Sequence, residues 1–342
     1  MEDKIQIQRN AFDMIRYYAA LSVMLLHYTG YSRIFSDQGS IVLTAIRSIV
    51  TFFPGVVVLF ALSGFLITVS REQTHDTRLF FRKRVFRLFP ELWVCTLFNL
   101  LVLSLLAFDR FDKSILIWLV TQIPGIANTP SCLKDFATGS VNGALWTIFV
   151  ELQFYLLILF CYKFLKKLSL YGWYALLAFS VFINLLAGHL APILPSYMQK
   201  LLERSFFPYM IWFLIGVFCY MKRTILLPFL KKYCPLFFIL YLILYQFDIL
   251  NHGYYCNILI SIFCPLITIG LAYLLPAFRI KTDLSYGMFL YHWIILNLIV
   301  YFDLFQKLPR LLCLTLFIVS TLILAWCSTT LVGKRVRSHM RQ

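Results

Sequence analysis

The sequence predicts an all-α polytopic membrane protein, a bundle of about ten transmembrane helices. Three observations carry that reading. Of the 342 residues, 61% are hydrophobic and 13% charged, with a mean hydropathy of +0.80, whereas soluble domains average about 45–50% apolar and about 25% charged. The apolar residues fall in repeated runs of about 20, the length that crosses a hydrocarbon core of about 30 Å. The basic residues sort by side, as described below. With 14 glycines and 12 prolines, the chain is neither collagen-like nor low-complexity. An ordinary soluble enzyme is excluded.

The spans run 12–30, 49–70, 91–108, 141–162, 171–188, 205–221, 233–247, 256–276, 283–302 and 311–332. Span 1 is too long for a signal peptide, carries Arg16 and His27, and has no small-residue cleavage site after its apolar stretch, so it is expected to be retained. Between spans 2 and 3, residues 71–90 hold Arg71, Arg78, Arg82, Lys83, Arg84 and Arg87 and end at Pro90, reading as a short amphipathic helix. The outer loop 109–140 contains an apolar stretch, Ile115 to Ile123, too short to span and expected at the interface or folded back. No soluble appendage or linker interrupts the rest, so 1–342 reads as one membrane domain. No inverted repeat of glycine-broken helices, the mark of many secondary transporters, is present.

With the N-terminus inside, inner segments collect 21 Lys and Arg and outer loops 9, Arg16 completing the 31. This bias places both termini in the cytoplasm. It also accounts for the net charge of +16, which in a soluble protein would have suggested nucleic acid. The nine cysteines lack metal-ligand spacing, so no metal is expected. Of them, Cys132 and Cys256 lie on the outer side, the one pair placed to form a bridge.

An ionisable side chain within a bilayer costs at least about 2.5–3.5 kcal/mol and so marks a job. Four qualify: Arg16, His27, Glu151 and His292. Arg16 and His27 are eleven residues apart, about 20° past three full helical turns. They share a face, separated by roughly 16 Å along the axis. The local alternative pairs Arg16 with Asp13 at i,i+3. Glu151 and His292 lie near mid-depth of spans 4 and 9; a buried carboxylate needs a proton or a cation, and His27 and Arg16 are the candidates. Trp146 and Tyr155, around Glu151, read as packing or interfacial residues. On the basic stretch Lys83, Arg84 and Arg87 share one helical face, and Arg84 with Arg87 could grip a phosphate. The alternative is a topology signal.

At these residues the sequence resembles the acyltransferase-3 family of integral membrane acyltransferases. Span 1 has its Arg-x10-His arrangement at Arg16 and His27; LFALSGFLI (59–67), containing Ser63, is close to its FFxLSGFLI. FFRKRVFRLFP (80–90) matches its Arg-x-x-Arg and proline at Arg84, Arg87 and Pro90. LWTIFVELQFYLL (145–157) matches its LWxLxxExxFY, covering Glu151 and Tyr155, and LSYGMFLYHW (284–293) its SYxxYLxH at His292, with Phe289 in place of tyrosine. A departure is Leu152, where many members have a second acid, so a carboxylate pair is not assumed.

The resemblance implies an acyl-CoA-dependent O-acyltransferase of the bacterial inner membrane. It would move acetyl from cytoplasmic acetyl-CoA to a hydroxyl of an extracytoplasmic glycan, a surface polysaccharide or lipid-linked oligosaccharide. Lys83, Arg84 and Arg87 would hold the coenzyme's phosphates, and Arg16 would lie along the pantetheine path. His27 would be the general base, with Glu151 or His292 orienting it, and Ser63 and Tyr155 would serve the substrate or its orientation. A transporter or flippase for a lipid-linked sugar or small anion is the alternative.

Overall fold

A computed structural model describes residues 10–35, 40–247 and 252–339, and among these every regular element is helical. In chain order they are α1 (Phe12–Phe35), α2 (Ile41–Phe52), α3 (Gly55–Gln73), α4 (Thr77–Ala107), α5 (Ser114–Gln122), α6 (Trp146–Lys167), α7 (Leu170–Leu190) and α8 (Ser196–Glu203). There follow α9 (Met210–Met221), α10 (Arg223–Gln246), α11 (Ile258–Leu274), α12 (Ser285–Tyr301), α13 (Leu304–Lys307), α14 (Arg310–Ser328) and α15 (Lys334–His339). Capping sets some of the starts. The Asn257 side chain accepts from Ile260 N at the head of α11, and that of Ser169 from Gly172 N at the head of α7.

Among the described residues, six helical stretches are long and apolar enough to cross a membrane: Ile41–Gln73, Thr77–Arg110, Gly143–Lys167, Leu170–Ile193, Arg223–Gln246 and Arg310–Val336. The pair Ser196–Glu203 and Phe207–Met221, bent by 47°, makes a seventh. α11 and α12 are apolar but shorter, at 17 residues each. α1 is long enough at 24 residues but is diluted by Arg16, His27 and its tyrosines. Each of the ten sequence-derived spans coincides with a helix.

The basic stretch differs from expectation. Residues 77–107 form one helix with Pro90 inside it, so the amphipathic segment and span 3 are continuous. At about 1.5 Å per residue, its 31 residues reach about 46 Å, well beyond a hydrocarbon core of about 30 Å. The Lys83–Arg87 face occupies the surplus length.

The chain divides into two compact units: Met1–Ala19, Phe52–Phe81 and Val150–Lys281 in the first, and Ala20–Thr51, Arg82–Phe149 and Thr282–Gln342 in the second. In the first, α3 and α9 meet backbone to backbone. A Cβ on Gly64 would lie 2.1 Å from Phe213 O, and one on Gly216 2.1 Å from Ala61 O. Close approach through small residues supplies the dispersion that lipid-immersed helices need in place of a hydrophobic drive. Phe154 stacks on Phe213 at 4.1 Å beside this contact. At the far end of α3, Glu72 accepts from Tyr220 and pairs with Arg223 (3.5 Å) and Lys166 (3.7 Å). Its neighbour Arg71 caps α3, donating to the carbonyls of Thr74 (2.6 Å) and His75 (3.1 Å) between the rings of Phe80 and Tyr162.

In the second unit, Gly287 of α12 lies against Ala325 of α14, where a Cβ would come within 2.8 Å. The short apolar stretch folds back as α5: Ile115 and Trp118 join Leu103, Ala107, Leu133, Phe136 and Val141 in one buried cluster. All nine cysteines are free thiols, Cys132 and Cys256 included.

Candidate active site

The second unit brings two of the four predicted ionisable residues together. His27 Nδ1 of α1 lies 2.9 Å from His292 Nε2 of α12. The ring planes are parallel to 1° with centroids 5.2 Å apart, which matches the N···N distance plus two ring radii, the largest separation that contact allows. The bond therefore runs in the plane of both rings, along the nitrogen lone pair. His292 Nδ1 in turn lies 3.2 Å from the carbonyl oxygen of Met288, one turn back on α12.

These contacts set the tautomers. A carbonyl oxygen only accepts, so His292 Nδ1 carries the hydrogen and, in the neutral ring, Nε2 is an acceptor. His27 Nδ1 must then donate to it, which leaves the lone pair of His27 on Nε2. Exposure divides the roles the same way. His292 is fully buried at 0%, whereas His27 keeps part of its surface open.

The first unit assembles a carboxylate cluster. Glu151 of α6 accepts at Oε1 from Ser63 Oγ of α3 (3.0 Å) and from the hydroxyl of Tyr155, one turn along α6. The sequence offered Arg16 and His27 as counter-charges; the partners found here are hydroxyls, which stabilise a carboxylate without neutralising it. Tyr155, read from the sequence as packing, is both buried at 2% and bonded to the carboxylate.

Arg16 pairs with Asp13 at 3.4 Å, the i,i+3 contact anticipated as its local alternative, and Asp13 also accepts from Ile280 N at 3.2 Å. α1 is one helix through both Arg16 and His27, as their shared-face spacing requires. On α4, Lys83 and Arg87 are exposed and Arg84 is half-buried. Arg71, counted with the basic stretch, is buried as a helix cap and does not join that face.

Several residues of the second unit escaped the sequence reading. Trp293 packs edge-on to His27, centroids 4.6 Å apart and planes at 69°. Asn297, one turn further along α12, is 1% exposed and bonded to residues 138–141. Asn142 donates to Leu290 O at 2.9 Å. Glu91, at the first position of span 3, is buried at 2% and accepts from Thr329. An amide in an apolar run is the signal that could have flagged Asn297, since such groups seek interhelical partners in a membrane.

Among the described residues no group of three or more His, Cys, Asp or Glu could hold a metal ion. Over 163 residues the chain is 31% identical to Nodulation protein 10 of Rhizobium leguminosarum bv. viciae, a match covering 43% of this chain and 42% of that protein. The chain thus aligns with less than half the length of that relative. No solved structure matches it. The acyltransferase-3 profile, described as an acyltransferase domain, matches residues 9–330, and the chain belongs to that family.

Proposed function

We propose that this membrane acyltransferase moves an acetyl group from cytoplasmic acetyl-CoA to a hydroxyl of an extracytoplasmic glycan, with His27 as general base. The glycan is a surface polysaccharide or a lipid-linked oligosaccharide, and the membrane is a bacterial inner membrane. The chain crosses it ten times with both termini in the cytoplasm, an arrangement supported by the helix at each predicted span and by the 21-to-9 basic bias.

The observation that carries the reading is the wired histidine pair. Acetyl-CoA supplies an acyl carbon activated as a thioester. His27 Nε2 takes the hydroxyl proton as the oxygen attacks that carbon, and the ring becomes an imidazolium. Its Nδ1–H stays bonded to His292 Nε2, which stabilises the charge as it forms. As the C–S bond breaks, Nε2 returns the proton to the sulfur, leaving ester, CoA thiol and neutral His27. Arg84 and Arg87, three residues apart on α4, suit paired phosphate oxygens, with Lys83 beside them. Arg16 and Glu151, the latter accepting from Ser63 and Tyr155, are further residues of the proposed reaction.

The test is His27→Ala. Membranes bearing the variant at normal abundance are expected to transfer no label from radiolabelled acetyl-CoA into the polysaccharide fraction. Transfer near the wild-type rate removes His27 from catalysis.

A further inference from the structure

We infer that Asn297 and Trp293 are positioning residues that strap segment 138–143 behind the histidine pair and so keep water from the base. The inference rests on the proposed role of His27 and adds residues to it.

The bonding is unusually complete. The Asn297 amide uses all four of its hydrogen-bonding positions. Nδ2 donates to Ser140 O (2.9 Å) and Val141 O (3.2 Å), and Oδ1 accepts from Thr138 N (3.2 Å) and Thr138 Oγ1 (2.6 Å). Trp293 Nε1 donates to Ser140 O (3.0 Å) and Thr138 Oγ1 (3.1 Å), and Tyr31 donates to Thr138 O (3.2 Å). Gly143 lies flat on the Trp293 six-membered ring, where a Cβ would come within 2.4 Å of Cη2. Strapped in this way the indole is only 6% exposed, and it packs at steep angles against His27 (4.6 Å), Tyr31 (5.9 Å) and His292 (6.0 Å).

The segment does not hold this shape by itself. Ala137 has φ of 50° and Gly139 of 74°, and a non-glycine residue in the left-handed region persists when its surroundings over-determine it. Freed from Asn297, the turn relaxes, the indole loses its backing, and water reaches His27. The consequence is chemical. With water in place of the acceptor hydroxyl, His27 Nε2 takes the water's proton, the oxygen adds to the acyl carbon, and the C–S bond breaks to give acetate and CoA thiol. The strap suppresses this hydrolysis.

The experiment uses purified full-length protein in lipid nanodiscs with acetyl-CoA and no acceptor, CoA being quantified by chromatography. Asn297→Leu removes all four bonds, and Trp293→Phe keeps a ring on His27 while deleting the indole N–H. Both should raise acceptor-free CoA release about tenfold and speed hydrogen–deuterium exchange at 138–143, and adding His27→Ala should abolish the gain. Faster exchange with unchanged CoA release overturns the water-exclusion role, and unchanged exchange overturns the strap. A gain that survives His27→Ala, or a wild-type protein that transfers no acetyl label to membrane glycan, refutes the underlying role of His27 instead.

Discussion

Replacing His292 with leucine tests the wiring of the histidine pair directly. Leucine nearly matches imidazole in volume, so the sealed position on α12 stays filled, but it offers no acceptor to His27 Nδ1. The size of the effect follows from when the bond matters. A neutral hydrogen bond contributes about 0.5–1.5 kcal/mol and one to a charged group about 1.5–3 kcal/mol. Only the increase on forming the imidazolium counts toward the rate, because the neutral part is present before reaction. That difference of about 1–2 kcal/mol corresponds to a five- to thirtyfold slower transfer at about 1.36 kcal/mol per decade. The assay compares rates of label incorporation from radiolabelled acetyl-CoA at matched protein abundance. A rate within about twofold of wild type would show that the 2.9 Å contact carries no catalytic weight. A fall to the His27→Ala level would show that His292 touches the reacting atoms, contradicting a purely orienting role.

Two further outcomes follow from the same structure. Arg84→Lys should raise KM for acetyl-CoA with little change in kcat, because an ammonium replaces a bidentate fork by a point charge; an unchanged KM removes Arg84 from donor binding. Gly64→Ala should lower folded protein in the membrane sharply, since the new Cβ would sit 2.1 Å from Phe213 O, a backbone atom that yields only if α3 and α9 separate; detergent-extracted protein with normal thermal stability would contradict that packing.

Much of the helical architecture was legible because apolar run length is a direct response to a bilayer. All ten stretches proved helical, and the stretch Ile115 to Ile123, too short to span, formed the short helix α5 with Ile115 and Trp118 buried and Leu116, Ile117 and Val120 exposed. Candidate site residues were legible where a charge or imidazole interrupts an apolar run, which is how Arg16, His27, Glu151 and His292 stood out; of these the structure joins His27 to His292. What the sequence withheld was pairing. For Glu151 a proton or a cation was expected, and its bonds to Ser63 and Tyr155 were not foreseen, because a hydroxyl within an apolar helix leaves little mark on hydropathy. The partners of Trp293 and Asn297 were silent for a related reason: apart from the Thr138 hydroxyl they are backbone atoms of residues 138–141, and a backbone atom has no sequence signature. The break expected at Pro90 did not occur, since proline favours a helix boundary without enforcing one.

The choice of a second imidazole to orient the first has a physical basis. In soluble active sites that task often falls to a carboxylate, but a carboxylate buried at this position would add a net charge in apolar surroundings. His292 achieves the polarity with a neutral ring by resting its Nδ1–H on Met288 O. That oxygen also accepts the amide of residue 292 in the helical ladder, and its two lone pairs accommodate both. The direction of the hydrogen-bond chain, and with it the lone pair on His27 Nε2, is therefore fixed by the continuity of α12 through residues 288–292. On the side of α12 the histidine pair needs only the regular helix that its apolar sequence already dictates.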